Sequence, residues 1–109
     1  MAYDEGLAQR VREIVEGMPG LDEKKMFGGV GFLLHGNMAC GVHKEALIVR
    51  VGAEQDQAAL SKPHTRPFDI TGRVMKGWVM VDAAGYESDD KLRGWVQLGV
   101  DFSMSLPPK

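Results

Sequence analysis

Four basic side chains are the residues of this sequence best suited to binding chemistry: Arg50, Arg66, Arg73 and Lys76. Arg73 and Lys76 follow a glycine-bearing turn three positions apart, so both can reach one anion. Arg50 is a long cation on a strand otherwise fit for burial, and Arg66 precedes a proline in a loop. We take the four as a candidate anion-binding site. The alternative is structural pairing, in which Asp69 holds Arg66 or Arg73 while Arg50 lies in solvent.

No arrangement of side chains predicts catalysis. The single cysteine, Cys40, lies within an apolar strand, which indicates a small buried hydrophobe rather than a nucleophile. His35, His43 and His64 lack the spacing of metal ligands, such as HExxH. We therefore predict no catalytic residue, no metal and no cofactor, and a protein that is not an enzyme.

Length and charge limit the classes of partner. At 109 residues the chain is predicted to form one domain over residues 1–109. Thirteen basic and fifteen acidic residues give a formal net charge of −2, which argues against direct binding of nucleic acid. No apolar stretch approaches the ~20 residues needed to span a bilayer, and the start MAYDEGL has no signal-peptide pattern. The expected location is the cytoplasm.

The elements that must position these cations centre on residues 24–51. Three short apolar runs, at residues 30–34, 38–42 and 46–51, are joined by short loops with glycine or asparagine, which is typical of an antiparallel meander. In the middle run, alternation places Met38, Cys40 and Val42 on one face. The other face offers only small residues, which suggests close approach by a helix or by another subunit.

The rest of the chain adds helices and two further strands. Apolar spacing predicts a first helix over residues 4–18, and Ser88 is the predicted N-cap of a last helix. Between the meander and the last helix the pattern predicts a short helix at 54–60, a loop at 61–67, and then strands at 68–70 and 74–81. Before the meander, residues 24–27 are a further candidate strand. This order predicts an α+β fold of two layers, an antiparallel sheet with helices packed on it in the order α-β3-α-β2-α.

Three segments together resemble the N-terminal domain of the TfoX/Sxy family. They are Met26-Phe27-Gly28-Gly29, Gly36-Asn37-Met38-Ala39 and Gly72-Arg73-Val74-Met75-Lys76-Gly77-Trp78, and the resemblance covers nearly the whole chain. It implies a secretion-chaperone-like α+β fold. It also implies a link to regulators of natural competence, which join this domain to a second, C-terminal one that this single-domain sequence does not contain.

Three hypotheses about function follow. The first, to which we commit, is a non-catalytic regulatory domain of the competence-regulator type that acts through protein interactions, as a homodimer or with a regulatory protein partner. The second is a protein that binds a small anion or a nucleotide through Arg50, Arg66, Arg73 and Lys76. The third is a DNA-linked transcriptional regulator that acts through a partner, and the acidic net charge makes it weaker.

Overall fold

A computed structural model describes residues 3–26, 28–69 and 74–108 of the chain. The elements alternate little between helix and strand, because four strands follow the first helix directly. In chain order they are α1 (Glu5–Val15), β1 (Leu21–Met26), β2 (Gly29–Leu34), β3 (Asn37–His43), β4 (Ala46–Arg50), α2 (Asp56–Leu60), β5 (Thr65–Pro67), β6 (Trp78–Val81) and α3 (Asp89–Met104). Short 3-10 turns at Ala53–Gln55 and Ala83–Gly85 precede α2 and α3.

The strands form one antiparallel sheet in the order β1-β2-β3-β4-β6-β5. The predicted α+β fold, an antiparallel sheet with helices packed on it, is confirmed. One detail of the order differs, since four strands rather than three precede the short helix. The extra strand is β1, which begins at Leu21 rather than at Lys24 and pairs with β2 along its whole length.

One face of the sheet, the helix-covered face, packs against all three helices. Its side chains belong to one apolar cluster with residues of α1, α2 and α3. The strand residues of this cluster are Val30, Phe32, Leu34, Ala39, Cys40, Val42, Leu47, Val49, Val79 and Val81. Helix α3 lies so close to β3 that a Cβ added at Gly99 would be 2.2 Å from the carbonyl oxygen of Ala39. A helix does approach β3 closely, at Gly99, but it does so on the face of Cys40 and Val42 and not on the opposite face, where the small residues were predicted to admit it.

The other face, the helix-free face, has an apolar cluster to which no helix of the described residues contributes. This cluster contains Leu33, Met38, Ala46, Ile48, Trp78 and Met80 from the strands, and Phe68 from the connection between β5 and β6. Ile48 at its centre is completely buried. The connection between β5 and β6 therefore supplies, through Phe68, a cover that a helix supplies elsewhere.

A β-bulge explains why one predicted face was wrong. The pairing of β2 with β3 shifts by one residue between Phe32 and Leu33, so that Leu33 lies opposite Met38. Such a bulge reverses the alternation of side chains along one strand. Ala39 therefore joins Cys40 and Val42 in the helix-covered cluster, while Met38 lies on the helix-free face, contrary to the prediction.

Several predicted boundaries also need correction. The loop predicted at residues 61–67 contains β5, and the strand predicted at 68–70 is not formed at Phe68 and Asp69, while Ile70 lies outside the described residues. The strand predicted from residue 74 begins only at Trp78, because the Trp78 amide donates to the Met75 carbonyl and closes a turn. Helix α1 ends at Val15 rather than at residue 18, whereas Ser88 caps α3 as predicted.

Both edges of the sheet are poor templates for another strand. Strand β1 carries four consecutive charged residues, 22–25, and β5 has three residues of which the last is Pro67. Charges, proline and short length are the usual protection of an edge strand. Association through added strands is therefore disfavoured, and the faces of the sheet become the surfaces of interest.

Candidate functional site

The structure places the predicted cations at opposite ends of β6. Arg50 ends β4 and pairs with Trp78 at the start of β6, and Lys76 lies in the turn just before that strand. Arg66 on β5 pairs with Met80, and its side chain reaches Asp82 just beyond the end of β6. Arg73 lies outside the described residues. Convergence of all four cations on one anion stays a prediction, but Arg50 and Arg66 have different environments.

Arg66 already has a carboxylate partner. Its Nη2 lies 2.8 Å from Asp82 Oδ1, and its Nε also donates to Asp82. The hydrogen bonds to Asp82 raise the pKa of Arg66, and the charge of Asp69 raises it further, so the guanidinium stays charged. The pairing predicted for Arg66 as an alternative to ligand binding thus exists, with Asp82 rather than Asp69 as the partner.

Arg66 also borders an open groove of about 1050 Å³. Four carboxylates line this groove, from Asp4, Glu45, Asp69 and Asp82, against two fixed cations, from Lys44 and Arg66. Asp4 accepts from the amide of Leu7 as the N-cap of α1, and Arg66 is bound to Asp82. An anion that entered this groove would therefore meet more negative than positive charge.

Arg50 has a different environment, between two aromatic rings. Its guanidinium carbon lies 5.1 Å from the centre of the Trp78 ring and 5.2 Å from the centre of the Phe102 ring. Trp78 is itself backed by Phe68, with ring centres 5.8 Å apart. A cation over an aromatic face is attracted by the ring quadrupole, so the two rings hold Arg50 without a counter-charge.

Two glycines bring the rings and Arg50 together. The amides of Val51 and Gly52, directly after Arg50, both donate to the carbonyl of Gly77, at 2.8 and 3.0 Å. The amide of Gly77 in turn donates to Asp56 of α2. Gly52 has φ of +88°, and a Cβ there would be 2.5 Å from the ring of Phe102. A side chain at position 52 would thus push Phe102 away from Arg50.

Exposed apolar side chains lie next to this clamp of Arg50, Trp78 and Phe102. In the residues that the structure describes, three large apolar side chains are exposed: Val74, Met75 and Met104. Val74 and Met75 are 68% and 41% exposed and come directly before Lys76 in the turn that leads into β6. Apolar area is therefore exposed within four residues of Trp78, one of the two rings that hold Arg50.

Two groups that could act as nucleophile or base, Cys40 and Tyr86, are buried or bonded within the fold. Cys40 is buried in the core, and burial raises its pKa to about 12, so it remains a thiol. Tyr86 donates its hydroxyl to the carbonyl of Glu45, and burial raises its pKa. In the described ranges, no three histidine, cysteine or acidic side chains are grouped to hold a metal ion. No helix of those ranges has the length and apolar character to cross a membrane.

Sequence reasoning identified Arg50 but missed its partners. Trp78 and Phe102 were not among the candidate site residues, and both are half-buried where they contact Arg50. The register that sets Arg50 opposite Trp78 spans a connection of 27 residues and cannot be read from local pattern. The available signal was Arg50 itself, a cation at the end of an apolar strand.

The chain matches a known family model over most of its length. The family model described as the TfoX N-terminal domain matches residues 13–103 of the chain, which include every strand, the last three residues of α1 and all but the last residue of α3. The matched range also contains Arg50, Lys76, Trp78 and Phe102. No curated protein matches the chain.

Proposed function

The chain belongs to the TfoX N-terminal domain family, and on that premise we propose that it is a regulatory domain that binds another protein and catalyses no reaction. The binding surface in this proposal is the interaction turn, which we define as Val74, Met75 and Lys76 together with the clamp of Arg50, Trp78 and Phe102. This assignment develops the first of the three hypotheses drawn from the sequence.

The observation that carries the proposal is the exposed apolar pair Val74 and Met75. Consecutive apolar side chains at an exposed turn remain in contact with water. Their burial against another molecule would remove this apolar surface from water, and this favours binding. They lie on the connection that covers the helix-free face, and not on a helix that packs against the core. Covering them would extend the apolar cluster of Ile48, Phe68 and Met80 outward into an interface.

The chemistry of the remaining surface supports binding rather than catalysis. The thiol of Cys40 is inaccessible, and the hydroxyl of Tyr86 is used within the fold. The groove beside Arg66 has its one arginine already neutralised by Asp82. A catalytic site needs a nucleophile or base within reach of a substrate, and these groups do not supply one.

A photo-crosslinking experiment tests the proposal. Benzoylphenylalanine replaces Met75 in the full chain, expressed in the organism that encodes it, and the matched control carries the same group in place of Glu13, which is exposed on α1. We expect an adduct of one discrete mass from position 75 and none from position 13. Val74→Asp should abolish the adduct, because a carboxylate in the interface must lose its water.

Two other outcomes have defined meanings. Equal or absent crosslinking at positions 75 and 13 would refute an interaction surface at this turn. An adduct of twice the chain mass would identify a second copy as the partner, which would support the homodimer predicted from the sequence. Light scattering of the purified chain would then give the oligomeric state independently.

A further inference from the structure

We propose that Arg50, with Lys76 beside it, binds a carboxylate on an acidic segment of the partner protein, and that Val74 and Met75 cover an apolar side chain next to that carboxylate. The inference rests on the proposed function and names the chemistry of the partner. It replaces the predicted site of four cations with a smaller one at the start of β6.

The geometry of Arg50 is that of a preorganised anion receptor. Its guanidinium carbon is held at similar distances from the Trp78 and Phe102 rings, 5.1 and 5.2 Å. Rings over a guanidinium restrain the long side chain, so little of its rotamer entropy remains to be lost when a ligand binds. The N–H donors of a guanidinium form a planar fork that matches the two oxygens of a carboxylate.

The donors of Arg50 are available. Among the described residues, Arg10, Arg12 and Arg66 each contact a carboxylate, whereas Arg50, like Arg93 on α3, makes neither a hydrogen bond nor an ion pair. The described residues also contain no buried side-chain nitrogen without a partner. The guanidinium nitrogens of Arg50 must therefore reach solvent, where a ligand can meet them.

Lys76 adds a second positive charge at the same end of the sheet. It precedes Gly77, whose carbonyl accepts from the two amides that directly follow Arg50. Lys76 is exposed and forms no ion pair within the described ranges. Two cations with no acidic partner favour a ligand with a negative charge, whereas the groove at Arg66, rich in carboxylates, does not.

An acidic peptide segment fits this surface better than a nucleic acid. A nucleic-acid interface needs a stripe of cations that follows the phosphates, but the chain has a net charge of −2 and the interaction turn offers two cations, Arg50 and Lys76. The exposed Val74 and Met75 require an apolar contact, which a phosphate backbone does not provide. A segment that alternates carboxylates with an aliphatic residue satisfies both requirements.

Titration with a model peptide tests the inference. The probe is the blocked peptide Glu-Glu-Leu-Glu-Glu, its matched control is Gln-Gln-Leu-Gln-Gln, and the readout is the indole N–H resonance of Trp78 in the full-length protein. We expect a saturable shift with the acidic peptide and a shift at least tenfold weaker in affinity with the neutral one. Arg50→Gln should weaken binding of the acidic peptide about tenfold, as expected for a lost charge-assisted hydrogen bond.

Two variants separate a specific site from general electrostatics. Arg50→Lys keeps the charge but loses the planar fork, so its affinity should fall between those of the native protein and Arg50→Gln. Arg93→Gln removes one positive charge from an exposed position on α3 and should leave affinity unchanged. Equal loss in Arg93→Gln and Arg50→Gln would overturn the inference. If Arg50→Gln does not fold, Lys76→Gln replaces it, with an expected loss of about threefold.

The failure of this inference is distinguishable from failure of the proposed function. A crosslink at position 75 whose yield is undiminished in Arg50→Gln would refute the role of Arg50 while leaving the interaction surface intact. A Trp78 shift that appears at lower concentration with inorganic phosphate or a single-stranded oligonucleotide than with the acidic peptide would also overturn it, in favour of a phosphate ligand. A shift with the acidic peptide whose affinity falls about tenfold in Arg50→Gln supports it.

Discussion

On the helix-covered face, apolar side chains of three helices close over the strands, whereas on the helix-free face a single connection provides Phe68 as the cover. The first face contains backbone-to-backbone contact, as at Gly99 and Ala39. The second ends in exposed apolar residues and in an arginine held between two rings. The contrast is that helices close one face, while the other keeps exposed apolar side chains at its end, which a partner would cover in the proposed function.

Two neighbouring residues of β4 offer the most direct test of this contrast. Leu47 on the helix-covered face and Ile48 on the helix-free face are both completely buried and have similar volumes. We expect Leu47→Ala to lower the free energy of unfolding by about 4 kcal/mol, because packed helices cannot collapse into the cavity. Ile48→Ala should lower it by about 2 kcal/mol, because the connection above it can move inward.

Urea unfolding of both variants measures the difference between these free energies. Equal losses would show that the two faces are equally rigid and would remove the contrast between them. A larger loss for Ile48→Ala would reverse it.

A matched pair of glycines in α3 tests the close contact on the helix-covered face. Gly99→Ala places a Cβ 2.2 Å from the carbonyl oxygen of Ala39, so the helix must move away from β3. We expect a loss of about 2 kcal/mol in the free energy of unfolding. Gly94→Ala has nothing within 4 Å of the new Cβ and should instead stabilise the protein by about 0.5–1 kcal/mol through helix propensity.

Thermal unfolding measures both glycine variants under the same conditions. If Gly99→Ala proved as stable as Gly94→Ala, then α3 and β3 would have room between them and the close contact would not be a determinant of the fold.

More of the helix-covered face than of the helix-free face could be predicted from the sequence, because its signals are local. Apolar spacing in α1 and α3 and alternation in β4 are local signals, so the fold class and the N-cap Ser88 could be predicted. The bulge at Ala39 has no such signal, and it moved Met38 to the other face. Strand β5 was interpreted as a loop because its three residues include Pro67 and its pairing partner is distant in sequence.

The candidate site shows the same limit. Arg50 and Arg66 could be selected by type, but their partners depend on which strand lies next to which. Asp82 follows Arg66 by sixteen positions, and Trp78 follows Arg50 by twenty-eight. Local pattern therefore found the cations and could not tell the paired one from the unpaired one.

The pairing of Arg66 should contribute little to stability, in keeping with its exposed position. The side chains of Arg66 and Asp82 are 49% and 46% exposed, so water competes for both charges. A double-mutant cycle with Arg66→Gln and Asp82→Asn should give a coupling free energy of about 0.5 kcal/mol. The coupling should shrink in 1 M salt (Debye length about 3 Å). A coupling above about 1.5 kcal/mol would show that this rim of the helix-free face is fixed by the ion pair.

The smallest expected effect concerns the ion pair at the rim of the helix-covered face, between Arg12 of α1 and Glu23 of β1. Their closest atoms are 2.8 Å apart, and the hydrogen bond from Arg12 lowers the pKa of Glu23 below its ordinary value. A carboxyl whose folded pKa is lowered stabilises the folded state above the ordinary pKa and loses that contribution as the pH falls through the folded pKa.

Both side chains are a third or more exposed, so screening limits the contribution at pH 7 to about 0.5 kcal/mol. We therefore expect Glu23→Gln to be slightly less stable than the native protein at pH 7 and equally stable near pH 2, measured by urea unfolding at both values. If the loss in the free energy of unfolding is the same at both pH values, then Glu23 contributes through packing. This rim would then be stabilised by packing rather than by charge, like the centre of the same face.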